Sequence, residues 1–322
     1  MMPRIALPVA IDAAAFADGD RTAPVIALDG TTMGTRWRVL YVADAASADA
    51  VRDAIERRLA GLVADMSHWE PASLLSRFNR APAGTAMVLP PDFAQVMAMA
   101  LAIARVSGGA FDPAIGALVD LWGHGPPGPM PRPTPVAIDA ARARSGAQRL
   151  RWADGSRTLV QPGGVALDLS GIAKGHAVDA VADTLAAIGI RHTLVEIGGE
   201  LAGRGIRPDG EPWWVDLETP PGLPLLPPLR IALHGIAVAT SGSYVRGDHT
   251  LDPRTGYPAT GGVSTCSVVA SHAALADAWA TVLSVLPPPE GAALADRHGV
   301  AARIVGAEGA LETRALTAMI EG

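Results

Sequence analysis

The sequence predicts an α+β fold with a largely antiparallel sheet. Strand-like segments arrive in runs and do not alternate strictly with helices, and the long helical segments carry their own start and stop signals. With 322 residues, 49% of them hydrophobic, the chain can also bury a large core.

The elements justify this in order. Residues 1–30 read as an N-terminal extension or edge segment, and residues 31–322 as the main domain. TTMGTRWRVLYVA, from Thr31, alternates and is β-branched enough for a strand, and ASADAVRDAIERRLAGLVADM has helical apolar spacing behind an Asp/Ser start. The polar loop SHWEPASLLSRFN follows. PPDFAQVMAMALAIARVSGG is a buried helix begun by proline and ended by Gly108 and Gly109, and AFDPAIGALVDLWG opens a shorter one. HGPPGPMPRPTP and PPGLPLLPP are proline-rich surface loops. QRLRWADGSRTLVQPGGVALDLS reads as short strands with glycine turns, ending in the apolar strand VALDLS, and a helix is expected from about Gly171 to Ile188. RHTLVEIGGELAGRG, WWVDLETP and RIALHGIAVATSG are strands, with GGELAGRG a glycine-rich hairpin. GGVSTCSVVAS then feeds the helix AALADAWATVLSVL.

Composition excludes several classes of function. A net charge of −6 with scattered arginines argues against nucleic acid or an anionic membrane as partner. Cys266 is the only cysteine, which removes disulfide frameworks and thiolate metal clusters. IALPVAI near the start is interrupted by Asp12 and lacks a small-residue cleavage site, and no apolar run reaches the roughly 20 residues that span a bilayer. A cytoplasmic location is expected, or a periplasmic or membrane-associated one if the chain is a processed form.

The chain has 25 arginines and a single lysine, Lys174, in SGIAKG. Ser170 is a natural N-cap for the helix that follows. Lys174 would then sit about one turn in, where the helix dipole disfavours a cation unless an anion is bound there. Gly171 and Gly175 would let a ligand approach the backbone, and a helix N-terminus beside an amine suits phosphate. A solvated lysine with packing glycines is the other reading. Asp168 could orient the amine or accept from a ligand N–H or hydroxyl, or cap the helix.

In ADAWAT, Asp277 and Thr281 are four apart and share a helix face. A carboxylate and a hydroxyl suit a hard cation such as Mg²⁺. They could equally bond back to the helix or favour its N-terminus. In GDHTLDPRTGYP, a run of turn signals, His249 could act as a base near neutral pH, with Asp252 or Arg254 fixing the loop. It could also be an exposed histidine beside an ordinary turn.

Taken together, TTMGT, MSHWEPASLLSRFN, GAFDP, DLSGIAKG, GGELAGRG, DHTLDPRTGYP and ADAWAT occur in an order that resembles the ApbE-like flavin transferases. The resemblance runs from about Thr31 to Thr281. It implies a T-fold-like α+β architecture and a Mg²⁺-dependent enzyme, Mn²⁺ being an alternative. Such an enzyme transfers FMN from FAD to a Thr or Ser hydroxyl of an acceptor protein with a D-x-x-[ST]-x-A-T type sequence, releasing AMP. Monomers or homodimers would fit.

By the same resemblance, Met33 and Trp69 would contact the flavin, and Ala110, Phe111 and Asp112 would line the FAD site. Asp168, Lys174 and Leu251 would bind FAD. Asp277, Thr281 and the Gly171 carbonyl would hold the metal, and His249 would be the general base. Trp69 stands where many members have tyrosine, and Ala280 where some place a second carboxylate. An FAD pyrophosphatase, giving FMN and AMP without an acceptor, and a non-catalytic FAD-binding protein are the alternatives.

Overall fold

The computed structural model describes residues 3–17, 19–43, 48–217, 219, 226–242 and 249–321. Its centre is an eight-stranded sheet whose strands follow one another in chain order: β1 (Val25–Thr32), β2 (Thr35–Val42), β3 (Thr193–Ile197), β4 (Glu200–Arg204), β5 (Ile236–Gly242), β6 (Val263–Ala270), β7 (Ala301–Gly306) and β8 (Gly309–Glu312). Every neighbouring pair is antiparallel, as the strand runs in the sequence predict. Residue 30 lies inside β1, so the first 30 residues are not all extension. Arg4–Ala6 also pairs, in parallel, with 229–231.

Both faces of the sheet are buried, which explains why its strands are rich in consecutive apolar residues. Along β2, Trp37, Val39 and Tyr41 point into one core, while Leu40 and Val42 point into another. The first core is closed by four helices: α1 (Ala48–Met66), α2 (Pro91–Val106), α3 (Ala173–Ala187) and α4 (Ala273–Val285). The second lies under Trp213, Leu229, Ile231 and Leu233 of a three-stranded sheet and Leu316 and Met319 of the C-terminal helix Arg314–Glu321.

The large insertion between β2 and β3 carries α1, α2 and α3, and the turn before α4 follows β6. These crossovers bring α3 and α4 side by side on one face of the sheet. None of the described helices is long and apolar enough to cross a membrane.

Some local expectations change. The helix Pro135–Arg142 follows directly on the first proline-rich loop, with Pro135 at its first turn and Thr134 Oγ1 accepting from the Ala137 N–H at 3.3 Å. VALDLS joins no sheet among the described residues, because side chains and loops take its backbone groups. Asn79 donates to the Leu167 carbonyl at 2.9 Å and accepts the Leu167 N–H at 2.7 Å, and Ala166 and Asp168 bond to Gly116 and Pro113 at 2.9 Å each. Of the Asp/Ser start expected for α1, Asp49 lies in its first turn, while Ser47 and most of PPGLPLLPP lie outside the described residues.

Candidate active site

The junction before α3 is a turn, not a capped helix start. Ser170 donates through both its N–H and its hydroxyl to Asp168 Oδ1, the local bonding typical of Asp-initiated turns, so Ser170 is not the N-cap. The helix begins at Ala173 after Ile172, which offers no side-chain cap. Lys174 is therefore its second residue, nearer the positive end of the helix dipole than the expected full turn.

Two carboxylates lock α3 to α4. Asp277 Oδ2 accepts the Gly175 N–H at 3.0 Å, and Asp179, one turn further along α3, accepts the Ala273 and Ala274 N–H groups at 2.8 and 2.9 Å. Asp179 thus caps a helix to which it does not belong. The helices can approach this closely because residue 175 is glycine: a Cβ there would overlap the Ala273 carbonyl and stand 2.7 Å from the Ala274 nitrogen. Gly175 is a helix-packing residue, and its expected role in admitting a ligand is corrected accordingly.

Gly171 is placed against Thr281. A Cβ on Gly171 would lie 2.8 Å from Thr281 Oγ1 and 3.3 Å from Phe111 Cε2. Asp277 and Thr281 lie one turn apart on α4, Thr281 against Gly171 and Asp277 against Gly175. Thr184 and Ser284 donate to carbonyls four residues back, and among the described residues Thr281 makes no such bond, so its hydroxyl is not absorbed by its own helix. A buried carboxylate, a hydroxyl and a main-chain carbonyl form an oxygen-donor set that fits a hard divalent cation. Ala280 is fully buried in the core between these helices.

Lys174 forms an ion pair with Glu200, which opens β4 after the Gly198–Gly199 turn and is only 3% exposed. Burial, and then the charge of Asp277, push the Glu200 carboxyl from its usual 4.5 to about 7, against the opposing pull of Lys174. Burial also raises Asp277, offset by Lys174 and the Gly175 N–H. A carboxyl with a raised native pKa holds its proton where the unfolded chain has lost it, so its contribution to stability declines as pH rises from about 4.5 to about 7. Thermal unfolding of wild type and Glu200→Gln across that window should show the stability difference, wild type minus variant, falling with pH. A flat difference would mean that the Glu200 carboxyl is not raised in the native state.

Beside this cradle lies a hollow of about 360 Å³ whose wall includes His68, Trp69, Asn79, Arg80, Asp120 and Asp168. Trp69 is 58% exposed, its ring centroid 5.4 Å from that of His68, and His68 Nε2 stands 4.0 Å from Asp168 Oδ2. An exposed indole and a buried carboxylate on one hollow can stack on a flat heteroaromatic ring and accept one of its N–H groups, respectively. Met33, at φ 49°, occupies the tip between β1 and β2, in a separate hollow of about 490 Å³ formed by residues 31–36.

The remaining predicted residues frame the site. Ala110 and Phe111 are buried, and Phe111 meets the Gly171 turn. The Asp112 carboxylate accepts the Ala114 and Ala147 N–H groups at 2.8 and 2.9 Å, which ties down its loop, and burial raises its pKa. Leu251 is buried against Leu118, Ile138 and Ala141. The loop after it is held by Asp252, which accepts from Arg254 at 2.9 Å, and by Trp122, whose indole N–H donates to the Gly256 carbonyl at 2.9 Å. Arg254 Cγ would lie 3.8 Å from a Cβ on Gly109, so this loop borders GAFDP. His249 is half-buried at the loop's start, and Gly247 and Asp248 lie outside the described residues.

Sequence reasoning missed Glu200, Asp179, Asn79 and His68 as parts of this arrangement. An acid after a Gly-Gly turn in an apolar strand, and an Asp one turn beyond Gly175, were the available signals.

The model of the ApbE family matches residues 33–304. The chain is 34% identical over 295 residues to the FAD:protein FMN transferase of Klebsiella pneumoniae, covering 88% of this chain and 84% of that protein. It is 33% identical over 322 residues to that of Haemophilus influenzae, covering 94% and 91%. Its fold superposes on the apo flavinyl transferase ApbE of Pseudomonas stutzeri with a TM-score of 0.86 and 34% identity, over 93% of this chain and 98% of that one. For the flavin transferase ApbE of Vibrio cholerae the TM-score is 0.85, with 32% identity and coverage of 92% and 99%. A match over most of the chain means that this protein belongs to the ApbE family.

Proposed function

We propose that the chain transfers FMN from FAD to a Thr or Ser hydroxyl of an acceptor protein and releases AMP. The observation that carries this reading is that Thr281 meets Gly171 and Asp277 meets Gly175 on either side of Lys174 at the start of α3. The names of the relatives supply the reaction class.

In this reading the hollow beside Trp69 and Asp168 takes the flavin ring, by stacking and by acceptance of a ring N–H. Lys174, at the positive end of the α3 dipole, faces the diphosphate. Gly171, Asp277 and Thr281 would hold Mg²⁺, with Mn²⁺ as alternative, which when bound supplies charge neutralisation at the phosphate oxygens. The acceptor hydroxyl attacks the FMN-side phosphorus. A P–O bond forms to the acceptor, the P–O bond to AMP breaks, and the hydroxyl proton passes to an imidazole nitrogen of His249.

Incubation with FAD, Mg²⁺ and an acceptor carrying a D-x-x-[ST]-x-A-T sequence should add the mass of FMN to that hydroxyl, with AMP released in equal amount. His249→Ala should lower the rate by about 10²-fold to 10⁴-fold while FAD binding is retained. AMP release that proceeds equally well without acceptor would identify a pyrophosphatase. FAD binding without AMP at any Mg²⁺ or Mn²⁺ concentration would identify a binding protein.

A further inference from the structure

Glu200 lies outside every group of residues that the flavin-transfer reading calls on, yet it is a buried carboxylate in an unfavourable electrostatic position. It is 3% exposed, and its Oε2 is buried with no hydrogen-bond partner among the described residues. It also feels the charge of Asp277, a second buried carboxylate. Two acids out of water, one with an orphan oxygen, are costly to the fold unless they are paired. What Glu200 gains in return is Lys174, whose amine meets its Oε1.

The backbone around Glu200 is built to hold it there. Gly198 and Gly199 have φ of 62° and 99°, a conformation that L side chains resist, and so turn β3 tightly into β4. The Gly198 N–H donates to the Arg36 carbonyl at 3.0 Å, and a Cβ on Gly198 would stand 2.9 Å from Thr35 Cγ2. Glu200 is therefore fixed relative to the tip that carries Met33. A free lysine side chain samples many rotamers, whereas one anchored on a rigid strand presents its charge in one place.

We propose that Glu200 is a positioning residue that holds the Lys174 amine at the start of α3, pre-organised for the diphosphate of the dinucleotide. The role rests on the flavin-transfer reading for the identity of the ligand, and it is exerted through Lys174 alone.

The test is a double-mutant cycle on FAD affinity, read as quenching of flavin fluorescence without turnover. Glu200→Gln should raise the FAD Kd by about 10-fold or more, as loss of an orienting partner typically does. Glu200→Asp should recover part of the loss. On a Lys174→Met background, Glu200→Gln should change Kd by less than about two-fold, the limit within which independent effects add. Equal weakening on both backgrounds, or wild-type affinity in Glu200→Gln, overturns the proposal. If Glu200→Gln fails to fold, Glu200→Asp is taken through the same cycle with the same criteria. AMP release is followed in parallel. Wild type that binds FAD but releases no AMP refutes the transfer reading and leaves the cycle to decide this one, whereas wild type that does not bind FAD refutes both.

Discussion

Exchange of Asp277 for asparagine lowers FMN transfer by about 10³-fold or more, the rate equivalent of the several kcal/mol that a bound hard cation contributes. The fold should not suffer. Asparagine keeps a carbonyl oxygen able to accept the Gly175 N–H, now 3.0 Å from Asp277 Oδ2. It also removes a buried negative charge that raises the pKa of Glu200. Stability equal to or above wild type, together with lost turnover, is the signature of a group retained for function at a cost to the fold. AMP release over a Mg²⁺ titration and thermal unfolding in the absence of metal read the two halves separately. Wild-type turnover in the variant would remove Asp277 from the cation site, and early unfolding would make its role structural.

Gly175→Ala is the second change with a large expected effect. The added methyl would enter the space held by the Ala273 carbonyl and the Ala274 nitrogen, and both of those groups are backbone. Neither can swing aside as a side chain could, so α3 and α4 must separate. Overpacking of this kind costs about 3 kcal/mol. The separation also draws Asp277 and Thr281 away from Gly171, so activity should fall by more than the loss of folded protein explains. Gly61→Ala provides the control. Gly61 lies within α1 with nothing near its Cβ position, and alanine there should stabilise by up to about 1 kcal/mol with activity unchanged. If the two variants unfolded alike, the close contact between the helices would not be what holds the site together.

Most of the site was legible because its signals are local. Asp277 and Thr281 share a face by helical geometry alone, and the solitary lysine marks the start of α3 in a chain that otherwise uses arginine. The misreadings have a common cause. Ser170 has the residue type of an N-cap, but Asp168 lies two residues before it and takes both its donors. VALDLS has a strand's composition, but Asn79, 88 residues away in the chain, supplies the bonds that a neighbouring strand would have made.

By itself the sequence determined where the long helices lie, the runs of strands between them and the residue types able to handle a diphosphate, because each depends on neighbours within a turn or a hairpin. The tertiary structure alone decided that Glu200 grips the lysine, that Asp179 caps a helix other than its own, and that Gly175 joins α3 to α4. Those pairings span from 26 to more than 90 residues of chain. They arise only when the sheet brings distant segments into contact, and no local preference encodes which partner a buried charge will meet.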